Sequence, residues 1–193
     1  MRTFLVTALL ISSFNLIAAD KKSMVLMKTT FGDIEIELFD EKAPETVKNF
    51  LRYVDEGFYK GTIFHRVIDN FMMQGGGFTR DFKRRPTHNP VKNEAHNGLT
   101  NDRGTIAMAR TNIVDSATSQ FFINFKDNNF LNHTSKTPQG YGYCVFGRVV
   151  KGMSVVNRVA KVKVAPQSGH RHAPTTPIII ESIVRMESVD SKK

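Results

Sequence analysis

Arg66 stands inside an apolar run, Ile63-Phe64-His65-Arg66-Val67-Ile68. A guanidinium there is costly unless it reaches water or a partner. Taken alone, this strand fits an arginine that lays its stem over apolar neighbours and keeps its charge in water. Two other segments argue for more. Over residues 119–125, alternation puts Gln120 and Phe122 on one face and Phe121 and Ile123 on the other. Over residues 105–109, Ile106 and Met108 face a core and Ala109 faces away. An aromatic ring, a small residue and a polar amide on one outer face describe a groove made to hold a ligand. His65, one residue from Arg66, points to the opposite face and reads as a satisfied structural histidine, not a base.

Other chemistries find less support. Ser116 and Ser119 lie in no nucleophile-elbow pattern. Gly75-Gly76-Gly77 lacks the lysine and hydroxyl residue that complete a phosphate loop. His170 and His172 could share one side of an extended segment, but no third metal ligand accompanies them and the stretch reads as a flexible basic loop. Cys144 is the single cysteine, so no intramolecular disulfide forms, and its apolar surroundings predict a buried, inert thiol.

The elements that must position these residues are short. Residues 24–29 and 33–38 read as two strands joined by a turn at Phe31-Gly32, with Ile34, Ile36 and Leu38 alternating against Glu35 and Glu37. A helix follows from Pro44, with Glu45 in its first turn, an inward stripe of Val47, Phe50, Leu51 and Val54, and a stop at Gly57. Further strands are expected at 62–68, 72–75, 105–109, 119–125, 143–150 and 178–186, and a second helix at 153–160. Many short strands with two helices predict a mainly β fold, a barrel or a sandwich. The long polar loop over residues 79–102 is a natural carrier of function.

The whole chain sets the remaining bounds. Its 193 residues suit one domain, and the formal charge is +9. The basic residues are scattered, with Lys83-Arg84-Arg85 the densest cluster and no nucleic-acid motif beside them, so a solvated basic surface is expected and nucleic acid is not. Residues 1–19 have the layout of a secretory signal, with Arg2, an interrupted apolar stretch and Ala18-Ala19 before Asp20. Export follows as an expectation, with residues 20–193 as one soluble domain and no stable membrane insertion. Asn132-His133-Thr134 matches a glycosylation acceptor, relevant only in a eukaryotic secretory route.

The segment from Tyr59 to Gly76, together with Gln120-Phe121-Phe122-Ile123 and Val145-Phe146-Gly147, resembles the cyclophilin signature at ordered blocks along nearly the whole mature chain. The resemblance implies a closed eight-stranded antiparallel β-barrel capped by two α-helices, with its site on an outer face. It also implies peptidyl-prolyl cis-trans isomerase activity on proline-containing polypeptides, with no cofactor and no metal. By matched position, Arg66 resembles the catalytic arginine. Phe71, Met72, Phe122 and Leu131 resemble the pocket for the proline ring. Gln74 and the backbone of Ala109 and Arg110 resemble the groups that hold the flanking peptide, and Gln120 lines the same groove.

Three positions depart from many eukaryotic members. Phe130 stands for tryptophan, Tyr143 for histidine and Arg110 for asparagine, and the loop over 109–119 is similar to the bacterial exported branch. Both Phe130 and Tyr143 are carried over as substrate-binding positions. Weak cyclosporin binding at most, and a monomer, are the further expectations.

Overall fold

The computed structural model describes residues 23–186. The signal expected at residues 1–19 lies outside them.

The chain opens with β1 (Met24–Thr29) and β2 (Gly32–Leu38), paired antiparallel. Their turn is held by the Thr29 hydroxyl, which donates to the Gly32 carbonyl at 2.7 Å and accepts from the Phe31 N–H at 3.1 Å. Gly32 has φ +122°, and a Cβ there would meet Val155 at 3.0 Å, so glycine is required twice over. Ile34 and Ile36 are fully buried, as their alternation predicts. Glu37 departs from it. Its side chain is buried on the other face of the strand, where Arg148 donates to the carboxylate at 2.8 Å.

Helix α1 (Pro44–Asp55) follows, burying Val47, Phe50, Leu51 and Val54 as the stripe requires. Next come β3 (Thr62–Ile68), β4 (Met72–Thr79), β5 (Thr105–Met108), β6 (Phe121–Asn124) and a 3₁₀ turn at Asn129–Leu131. The chain continues through β7 (Val145–Lys151), α2 (Met153–Ala160), β8 (Val164–Gln167), β9 (His170–Pro174) and β10 (Ile180–Arg185). The sheet order is β10-β1-β2-β7-β5-β6-β4-β3, every pair antiparallel. The ends of that order approach each other. Gly61 N–H donates to Ile180 O at 2.8 Å, Phe64 N–H donates to Ile178 O at 3.0 Å, and Ile63 bridges Ile179. The sheet is thus a nearly closed eight-stranded barrel with two helices, and pairing the outer strands removes exposed edges.

Inside it, Phe50 packs against Phe121 and Phe146 with ring centroids at 5.8 and 5.1 Å. A second, smaller apolar cluster of Met72, Ala107, Phe122, Leu131 and Val145 lies apart from this core. Strand alternation creates both: Phe121 and Ile123 of β6 enter the core, while Phe122 between them joins the second cluster.

The segment around His170 and His172 is not the flexible loop expected. It forms the β8–β9 hairpin, whose β9 packs against β3. No helix among the described residues is long and apolar enough to cross a membrane.

Candidate active site

Strand register builds the site. Arg66 pairs with Gln74, Gln74 with Phe122, and Phe122 with Ala107, so one row crosses β3, β4, β6 and β5. At the usual spacing between neighbouring strands, that row spans about 14 Å. Arg66 Nη1 donates to Gln74 Oε1 at 3.1 Å, and Gln74 Nε2 donates to Gln120 Oε1 at 3.0 Å. The amides form a relay that fixes the guanidinium without neutralising it. Arg66 is half-buried, and burial lowers its pKa, but arginine starts high enough to stay charged.

Beside this row lies a cavity of about 270 Å³, at the small end for ligand pockets. Met72, Phe122 and Leu131 are nearly buried in its wall. Phe71 precedes β4 and stacks obliquely on Phe130 at 5.5 Å, while Phe130 itself is 71% exposed. Phe71 also lies 5.9 Å from the Arg66 guanidinium. Tyr143 meets Phe122 edge-on at 5.7 Å, and Ala109 and Arg110 complete the far end. The cavity therefore brings together every residue singled out from the sequence except Gln120, which stands one step back, bonded to Gln74.

Behind the wall is a polar network that sequence reasoning missed. Asn101, Asn124 and Asn128 are fully buried. Asn128 Nδ2 donates to Phe71 O at 3.0 Å and Asn124 Oδ1 at 2.8 Å. Asn101 Nδ2 lies 3.3 Å from both Leu131 O and Tyr143 O, and Asn124 Nδ2 donates to Asn101 Oδ1. Asn101 and Asn128 thus hold the backbone of three cavity residues, and Asn124 ties these two asparagines together. The available signal was Asn124 itself, a polar residue ending an apolar strand.

His65 needs a correction. It is 3% exposed and points away from the cavity, but its Nδ1 has no hydrogen-bond partner, so it is not satisfied. Cys144 is buried, and desolvation pushes its thiol up to about 12, which keeps it protonated.

A larger depression of about 610 Å³ lies beside α1. Most of its charged side chains are engaged, Arg185 with Asp55 at 2.6 Å, Arg52 with Glu56 at 3.1 Å, and Asp40 accepting from the Ser23 hydroxyl at 2.8 Å. No cluster of three or more metal-ligating side chains occurs among the described residues.

Comparison with known proteins identifies the family of the barrel. Residues 24–185 match the cyclophilin type peptidyl-prolyl cis-trans isomerase family model. Peptidyl-prolyl cis-trans isomerase cyp18 of Streptomyces antibioticus is 58% identical over 160 residues, covering 83% of this chain and 96% of that one. Peptidyl-prolyl cis-trans isomerase B of Escherichia coli is 56% identical over 164 residues, covering 85% and 100%. A cyclophilin type isomerase of Cryptosporidium parvum, solved in the presence of the dipeptide Ala-Pro, superimposes with a TM-score of 0.69 at 29% identity, covering 85% of this chain and 99% of that one. With a family model spanning the barrel and bacterial relatives more than half identical along nearly their whole length, the chain belongs to the cyclophilin-type peptidyl-prolyl cis-trans isomerases.

Proposed function

We propose that the protein accelerates rotation about X-Pro bonds in exported polypeptides, with Arg66 stabilising the half-rotated imide. The observation that carries this is the un-neutralised guanidinium, held by Gln74 at the lip of a cavity of about 270 Å³ that Met72, Phe122 and Leu131 wall with apolar side chains.

Rotation is opposed by amide resonance, a barrier of about 18–20 kcal/mol. At the half-rotated point resonance is lost and the prolyl nitrogen gains a lone pair. An N–H aimed at that nitrogen favours the twisted form over both planar isomers, and only such a difference lowers a barrier. Lowering it by about 7 kcal/mol accelerates rotation roughly 10⁵-fold. Met72, Phe122 and Leu131 hold the ring while the chain outside it turns. Gln74 and the backbone of Ala109 and Arg110 hold the flanking peptide. No nucleophile, metal or cofactor enters this step.

The basic, interrupted apolar start at residues 1–19 supports release into the periplasm, where the protein acts as a monomer on folding clients. Sequencing the N-terminus of protein from a periplasmic extract tests export, with a start near Asp20 expected. Phe130 and Tyr143 present no indole N–H and no imidazole at the rim, so cyclosporin binds weakly at most.

Arg66→Ala should reduce kcat/KM by about 10²–10³ with an unchanged circular dichroism spectrum. Arg66→Lys should be nearly as poor, because an ammonium lacks the planar donor fork. Two-dimensional NMR exchange on an X-Pro peptide reads interconversion directly, and near-normal exchange with the alanine variant would refute the role.

A further inference from the structure

Arg110 stands at the far end of the groove from Arg66, just past β5. Its side chain is tightly placed. Nε donates to Gly142 O at 2.9 Å, Nη1 to Thr111 O at 2.9 Å and Nη2 to Pro138 O at 2.8 Å. The guanidinium also lies over the Tyr143 ring, 5.0 Å from its centroid. Three neutral carbonyls and an aromatic face fix the cation's position but leave its charge intact. Two of its five N–H groups remain uncommitted by these bonds. No Asp or Glu lines the cavity, and no carboxylate forms an ion pair with Arg110 among the described residues.

The lattice of contacts gives this charge an address. The row from Arg66 to Ala107 spans about 14 Å, and an extended peptide advances about 3.3 Å per residue. Arg110 follows Ala107 by three residues and lines the same cavity as Arg66, so a proline seated near Arg66 leaves a residue about four positions away within reach of the Arg110 side chain. A preplaced guanidinium there loses little conformational entropy when a carboxylate arrives, unlike a free surface arginine.

We infer that Arg110 is a specificity-determining residue that selects proline-containing peptides carrying an acidic side chain on the flank lying over the β5 end of the groove. This rests on the isomerase reading above and adds the substrate class to it. Glu37 accepts from Arg148 at 2.8 Å on a neighbouring strand, an example of the same pairing already made within the fold.

The test is a peptide series with Glu or Gln at each of the four positions before and after one proline, compared by kcat/KM at low ionic strength. At one flank position the Glu peptide should be turned over about 3- to 5-fold faster than its Gln counterpart, a preference that fades in about 0.5 M salt. Arg110→Gln should bring that ratio to about 1. Arg110→Lys should keep the preference while lowering both rates, because the charge survives but the three-carbonyl clamp does not. Loss of bracing alone would lower both peptides equally and leave the ratio unmoved. A wild-type ratio at or below 1 at every position overturns the inference. So does a preference that survives Arg110→Gln, which would assign it to the general +9 charge. In either case, turnover of the Gln peptides keeps the isomerase reading standing on its own; absence of all turnover would instead remove that reading and this inference with it.

Discussion

His65 sits next to Arg66 in the chain but faces the aromatic side of β3, against Phe78 at 4.7 Å and His170 at 5.0 Å. Burial, with smaller effects from His170 and Arg66, lowers its pKa from 6.5 to about 3. The unfolded chain takes up this proton near pH 6.5, whereas the folded chain refuses it until about pH 3. Protonation therefore favours unfolding. The stability is fully present above pH 6.5 and is lost as pH falls toward 3. Between pH 6.5 and 5 the wild type should lose about 2 kcal/mol. The depressed carboxyls of Asp55, Glu56 and Asp69 stabilise the fold above their ordinary values of 3.8, 4.5 and 3.8 and lose that contribution only as pH falls below them, outside that window. Urea titrations at pH 7, 6 and 5 should show the slope in the wild type and its near absence in His65→Phe.

Among the elements, α1 begins without a cap of its own, since Ala43 supplies no side-chain acceptor. The cap comes from the long loop between β4 and β5. Glu94 accepts the Glu45 N–H at 3.2 Å, the Thr46 N–H at 2.8 Å and the Thr46 hydroxyl at 2.7 Å. Its negative charge also complements the helix N-terminus. Glu94→Ala should destabilise the fold by about 1–2 kcal/mol, read as a lower denaturation midpoint with an unchanged urea slope. This bond joins residues 48 positions apart, and nothing in the sequence marks it. Local patterns were legible where period and burial coincide: α2 runs over Met153–Ala160 with Val155, Val156 and Val159 inward, as expected. The β8–β9 hairpin was not, because its short strands are mostly exposed and one contains Pro166. A signal existed in Ser168-Gly169, whose φ values of +48° and +83° make a tight two-residue turn. At the cavity, Phe122 and Ala109 followed from alternation and most other positions from family resemblance. Asn101, Asn124 and Asn128 escaped both, because only the closed fold gathers residues from two loops and a strand end.

At the scale of the molecule, β10 carries a disproportionate share of the architecture. It pairs along β1, and with residues 178–180 it also reaches β3 through the Gly61, Ile63 and Phe64 contacts. Ile178, Ile180 and Ile183 fill the core from this segment. Deleting residues 178–193 should abolish cooperative thermal unfolding and near-ultraviolet circular dichroism, since the deletion opens the barrel and empties part of its interior. A sharp melting transition in the shortened chain would contradict this account of closure.

The same seam sets an order in time. Synthesis delivers the strand bearing Arg66 more than a hundred residues before Ile180–Arg185, the stretch that completes the cylinder. A nascent chain halted in between would hold its guanidinium on a ribbon with one flank bare. The frame of the groove is therefore complete only once translation reaches the closing stave, and a half-made copy lacks it.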